Sequence, residues 1–237
     1  MRRKIAICIS GEMRGWEIMK NIYSEWDVDF FISTWDTTNR GEDNYPYKFH
    51  GNSNINDEIL EVLKPKGYEF LSKEIENKFT FNLPKHYYLI HRCNLLKTQY
   101  ELNNKFTYDV VVMTRPDVYH KKLLISQIQN HPKEPDKPIC EFEIYGDSII
   151  QREELFGPSS MDAVIYGTSA TMDIFSSIYK HIYLSGDYQM IPFGHALIPH
   201  YINYIGHTMK RHNIIQKLLN KVRNADEYKE LMEKHNV

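Results

Sequence analysis

Thr114-Arg115-Pro116-Asp117 is the run whose residue types point most directly to chemistry. A guanidinium can fork onto two phosphate oxygens. A carboxylate two positions further on, in a turn stiffened by proline, can reach a divalent cation bridging diphosphate oxygens. Either Arg115 or such a cation on Asp117 would supply the positive charge that a departing diphosphate needs. The plain alternative is a salt bridge between Arg115 and Asp117 across the turn, and His120 follows three residues on. Two other runs carry matching chemistry. Ser10-Gly11-Glu12-Met13-Arg14 offers a hydroxyl, a glycine that permits close backbone approach and a second guanidinium. Ser33-Thr34-Trp35-Asp36 offers hydroxyls, an indole face for stacking and a carboxylate suited to ribose hydroxyls or a base edge. Taken singly, each has a structural reading, with Gly11 ending a strand, Arg14 a surface cation and Trp35 in the core.

What unites the three runs is their position behind apolar segments. Lys4 to Ser10, Val28 to Thr34 and Tyr108 to Met113 are short, β-branched and apolar on both faces, as strands buried in a parallel sheet must be. Trp16 to Trp26 places Trp16, Met19 and Tyr23 at helical spacing between the first two, giving a βαβ unit with a right-handed crossover. Further helices are expected over Asp57 to Leu63, His86 to Asn104 and Ala170 to Lys180, and further strands over Lys66 to Phe70, Ile139 to Ile144 and Met161 to Tyr166. Leu89, Cys93, Leu96 and Tyr100 form the apolar stripe of the long helix. Thr37 to Asn56 lacks periodicity and reads as a lid or insertion. The fold class is α/β, a mostly parallel central sheet flanked by helices. One domain over 1–237 is expected, with halves at 1–130 and 131–206 meeting at the Pro-rich stretch His131 to Pro138. The tail 207–237 is expected to pack as peripheral helices, with patches at Ile214 to Val222 and Ala225 to His235. In open α/β sheets ligands sit beyond the carboxyl ends of the strands, so three polar strand ends together argue for a site.

Composition narrows the partners. With 42% apolar and 25% charged residues the chain can bury a core, and a net charge of -2 supplies no field to gather nucleic acid. The basic start Met1-Arg2-Arg3-Lys4 is followed by an apolar run too short for a signal peptide. No stretch approaches the roughly 18 apolar residues of a membrane span. Cys8, Cys93 and Cys140 are odd in number and scattered, which suits buried thiols in a reducing compartment, so a cytoplasmic protein is expected. The 17 Tyr and 11 Phe are expected mostly in the core. Oligomeric state is not readable. No G-x-G-x-x-G follows the first strand and there is no P-loop, so neither a dinucleotide fingerprint nor a Walker-type site is present.

Lys4-Ile-Ala-Ile-Cys-Ile-Ser-Gly-Glu-Met-Arg14, Phe30-Phe-Ile-Ser-Thr-Trp-Asp36 and Tyr108-Asp-Val-Val-Val-Met-Thr-Arg-Pro-Asp117 resemble the successive strand ends of GT-A-type glycosyltransferases, chiefly over the first half of the chain. The resemblance implies a Rossmann-type nucleotide half, with Ser10, Gly11, Arg14, Thr34, Trp35, Asp36, Thr114, Arg115 and Asp117 around a nucleoside-diphosphate sugar. A D-x-D motif normally follows the central strand of that fold. Here it reads Arg115-Pro116-Asp117, so Asp117 is the one acid left to hold Mn2+ or Mg2+, and metal use is left open. Ser160 to Ser169 resembles the wall between donor and acceptor, which would bring Asp162 and Tyr166 near the reacting carbon. Pro192 to His200 stands where inverting members carry a catalytic base. His195 is the candidate, with Asp162 or Asp187 as substitutes, since an imidazole titrates near neutral pH. His195 and His200 lie five apart, not the spacing of a metal pair on one helix face. The expected reaction moves a sugar to a hydroxyl, a glycan being the expected acceptor. Its rivals are a non-catalytic nucleotide- or sugar-binding module and a nucleotidyltransferase, for which the early loop is too lean in Gly and Lys.

Overall fold

Alternate residues of the first strand explain the layering. In β1 (Ile5–Ser10) every residue is buried. Ile5, Ile7 and Ile9 face one way, into a cluster with Trp16, Ile22, Tyr23, Ile59 and Leu63. Ala6 and Cys8 face the other, against Tyr87, Ile90, Cys93, Met172, Phe175 and Ile178. A strand apolar on both faces needs helices on both sides of the sheet, and it has them. The computed structural model describes residues 3–13, 16–36, 55–80, 82–116, 118–119, 139–142, 164–185, 201, 210–213 and 217–218.

The elements in chain order are β1, α1 (Trp16–Tyr23), β2 (Asp29–Trp35), α2 (Asn56–Leu63), β3 (Gly67–Leu71), α3 (Lys73–Glu76), α4 (Asn82–Asn104), β4 (Val110–Thr114), β5 (Val118–Tyr119), β6 (Ile139–Phe142), β7 (Val164–Gly167), α5 (Ser169–Ser176), α6 (Ile178–Ser185), β8 (Lys210–Asn213) and β9 (Lys217–Leu218). Seven strands form the central sheet in the order β3-β2-β1-β4-β7-β6-β8, and β5 pairs with β9. The strands β3, β2, β1 and β4 are mutually parallel, β7 runs antiparallel to both neighbours, and β8 is parallel to β6. The sheet is therefore mostly parallel with one reversed strand, and among the described residues no helix is long and apolar enough to cross a membrane.

Several boundaries differ from the sequence reading for identifiable reasons. Helix α4 begins at Asn82 rather than His86, because Pro84 falls in its first turn, where a missing N–H costs nothing. Helix α2 ends where Lys64 takes the left-handed conformation (φ 44) just before Pro65, its N–H bonded to the Leu60 carbonyl. The helix expected over Ala170 to Lys180 is two, divided at Ser177, whose hydroxyl donates to the Ile174 carbonyl at 2.6 Å. The tail is corrected more deeply. Lys210–Asn213 completes the sheet beside β6, and Lys217–Leu218 is a strand where a helical patch was expected. The segments 37–54, 131–138 and 225–235 lie outside the described residues.

At the amino ends of the parallel strands, polar groups tie the sheet together. The Tyr108 hydroxyl donates to Asp29 at 2.7 Å, Lys66 pairs with the same carboxylate, and the Lys4 amide donates to Asp109 at 2.9 Å. Burial, with the Asp29 carboxylate beside it, pushes the Tyr108 phenol well above its ordinary pKa, so it stays a donor. Cys8 and Cys93 are buried free thiols.

Candidate functional site

Strands β2 and β4 flank β1, and the connections to them leave on opposite faces, with α1 and α2 on one side and α4 on the other. The strand order thus reverses between β1 and β4, where an open α/β sheet forms a crevice at its carboxyl edge. The register makes a step there. Ser10, the last residue of β1, pairs with Ser33, while β2 continues through Thr34 and Trp35. Strand β4 ends at Thr114, opposite Ile9.

Gly11 lines this step. Its φ is +126, a conformation side chains rarely adopt, and a Cβ placed there would lie 3.4 Å from Pro116 Cδ. The chain after β1 therefore packs against the turn after β4. Gly11 donates from its N–H to the Ser33 carbonyl at 3.3 Å and accepts from the Thr34 hydroxyl at 2.6 Å. Three strand ends identified from sequence are thus joined by contacts at one edge of the sheet.

The individual residues divide by exposure. Ser10, Thr34 and Thr114 are buried, Arg115 is half-buried and Pro116 is buried. The Thr34 hydroxyl is committed to Gly11, which makes Thr34 a support for the β1 turn. Trp35, expected to offer a stacking face, is only 4% exposed and packs with Leu71 and Leu89, its ring edge-on to Phe79 with centroids 6.3 Å apart. Its residue parity sends it to the α4 side of the sheet, where packing claims both faces of the indole. Asp36 keeps partial exposure, its N–H bonded to the Leu71 carbonyl at 2.7 Å and its Oδ1 accepting from Asn56 Nδ2 at 2.9 Å.

Tyr166 falls elsewhere than expected. Because β7 is antiparallel, the chain enters it at Val164, opposite Thr114, and Tyr166 lies further down, opposite Val112, 3% exposed in the core. Arg14, Asp117, His120, Asp162, Asp187, His195 and His200 lie outside the described residues. Among the described residues no group of three or more His, Cys, Asp or Glu is placed to hold a metal ion.

Below the edge, on the α4 side, runs a polar relay that the sequence did not reveal. The Ser33 hydroxyl donates to Glu69 Oε1 at 2.7 Å, and the Arg92 guanidinium chelates the same carboxylate from α4. The hydrogen bonds from Arg92 to Glu69 raise the guanidinium's pKa further, holding it charged. Ser33 and Glu69 share a register position on adjacent strands, a cue visible in sequence only once the pairing is known.

No family model and no curated protein sequence matches the chain. Its fold is similar to the crystal structure of a glycosyltransferase involved in the glycosylation of the major capsid of PBCV-1, with a TM-score of 0.51 and 11% identity, covering 97% of this chain and 99% of that one.

Proposed function

We propose that this chain transfers a sugar from a nucleoside-diphosphate sugar to a hydroxyl acceptor, a glycan being the acceptor class favoured. The observation that carries this reading is the convergence of Ser10-Gly11, Thr34 to Asp36 and Thr114 to Pro116 at the switch point between β1 and β4. The likeness in fold to the capsid glycosyltransferase supports it. In the proposed reaction the acceptor oxygen bonds to the anomeric carbon as that carbon's bond to the diphosphate breaks. The bonding electrons leave with the diphosphate, and the acceptor's proton passes to a base. Arg115 is the residue assigned to the leaving diphosphate, with Arg14 as a second candidate cation and Mn2+ or Mg2+ on Asp117 as the alternative source of charge. His195 and Asp162 are the proposed bases if the reaction inverts.

A non-catalytic nucleotide- or sugar-binding module is the second reading, favoured by one observation: Arg115 stands where the first acid of a D-x-D motif would. Calorimetric titration with UDP, GDP, ADP and CDP, with and without Mn2+, followed by donor-hydrolysis assays, separates the two. Binding with hydrolysis of the matching sugar donor supports the transferase. Binding without turnover of any donor supports the module, and no binding of any of the four overturns the transferase reading.

A further inference from the structure

We infer that Asn56 is a positioning residue of this site, its side-chain amide holding the Asp36 carboxylate in the orientation that accepts hydrogen bonds from the donor's nucleoside. The inference rests on the nucleotide-sugar reading above.

Asn56 opens α2, a place where asparagine commonly caps the helix. It does not do so here. The cap position is Ile55, no side chain caps the helix, and the Asn56 amide instead donates to Asp36 Oδ1 at 2.9 Å. Asn56 is 8% exposed, so its amide is committed from a buried position to a carboxylate that keeps partial exposure at the site edge.

The element carrying the amide is firmly held. Two residues on, Glu58 accepts from Trp16 Nε1 at 2.9 Å and from Lys20 Nζ at 2.8 Å, both on α1. Burial raises the Glu58 pKa, but the hydrogen bonds from Lys20 and Trp16 outweigh it and leave the carboxylate below its ordinary value, hence charged. Ile59 and Leu63 of the same helix are in the core. Asp36 is fixed from its own side by the bond from its N–H to Leu71. With both ends anchored, the amide hydrogen bond from Asn56 restrains the plane of the carboxylate, a terminal torsion that is intrinsically broad. A carboxylate ordered beforehand spares a ligand part of the ordering cost of binding. Asp36 and Asn56 also flank segment 37–55, so the same bond joins its two ends.

The test uses the full chain and the nucleoside diphosphate, among UDP, GDP, ADP and CDP, that the wild type binds most tightly by calorimetry. Asn56→Ala and Asn56→Ser are expected to weaken binding about tenfold, the worth of an orienting hydrogen bond. Circular dichroism verifies that each is folded, and the serine variant keeps the position polar should alanine fail to fold. The exchanged pair Asp36→Asn with Asn56→Asp separates orientation from simple clasping. It restores an amide-to-carboxylate bond and the melting temperature but moves the carboxylate onto α2, so its affinity should stay low. Wild-type affinity in the Asn56 variants, or in the exchanged pair, overturns the positioning role alone. A wild type that binds none of the four diphosphates overturns the donor-site reading and this inference with it.

Discussion

The Thr34 hydroxyl donates a 2.6 Å hydrogen bond to the Gly11 carbonyl, so the end of β2 holds the turn that leaves β1. Thr34 is fully buried, and Thr34→Val keeps its shape while taking away the donor. A loss of about 1–3 kcal/mol is expected from the carbonyl left unpaired, read by urea unfolding. If the turn forms part of the donor site, nucleoside diphosphate affinity falls as well, and an unchanged affinity would detach this turn from binding.

Gly11→Ala acts on the same turn by a different route. The distance from a new Cβ to Pro116 Cδ, 3.4 Å, is an ordinary contact, so the cost lies in the φ of +126 rather than in a clash. Backbone strain of that kind costs about 1–3 kcal/mol. The melting temperature should fall, and shortening the Pro116 ring by Pro116→Ala in the same chain should not restore it.

Lys97 of α4 is fully buried and pairs with Glu101 at 3.0 Å and Asp173 at 2.7 Å, while its ammonium also donates to the Ser169 hydroxyl. Glu101 in turn accepts from the Tyr108 amide at 2.7 Å, at the entry to β4. Lys97→Met strands a buried carboxylate and should cost about 3–5 kcal/mol in denaturant unfolding. Glu101→Gln, which keeps an acceptor for the Tyr108 amide, should cost less.

His91 sets an acid limit on stability. Burial first, then the neighbouring Lys180 and Arg92 charges, lower its pKa below the ordinary 6.5, against a smaller opposing effect of the Ser176 backbone. Its ring stacks on Tyr179 between α4 and α6. The folded state therefore favours neutral imidazole. As pH falls below the unfolded value of 6.5 the unfolded chain takes up a proton that the folded chain refuses, and stability drops until the folded pKa is passed. Melting temperatures followed from about pH 7 to about pH 5 should decline less steeply in His91→Gln than in the wild type. Parallel curves would assign the acid sensitivity to other groups.

The parallel half of the sheet was legible because β1, β2 and β4 are apolar on both faces, a pattern that few other environments produce. Gly11 and Pro116 were visible as turn residues, though not as neighbours, since their meeting depends on strand order. Lys97 and Glu101 could not be read. At i,i+4 spacing such a pair normally marks a solvated helix face, and only the packing of α5 over α4 shows that it is buried. Trp35 illustrates the converse, its type suiting a ligand and its parity sending it inward. In β8 and β9 the local polarity suggested peripheral helices, whereas pairing with β6 and β5 made them strands, an override by non-local contacts that local propensity does not record.

The polar lattice of Tyr108, Asp29, Lys66, Lys4 and Asp109 lies at the amino ends of the parallel strands, away from the edge where Gly11, Asp36 and Arg115 gather. For protein engineering this separation is useful. Changes at the carboxyl edge that spare the Thr34 to Gly11 bond leave the anchoring contacts of the opposite edge in place, so donor preference is best sought there without touching either set.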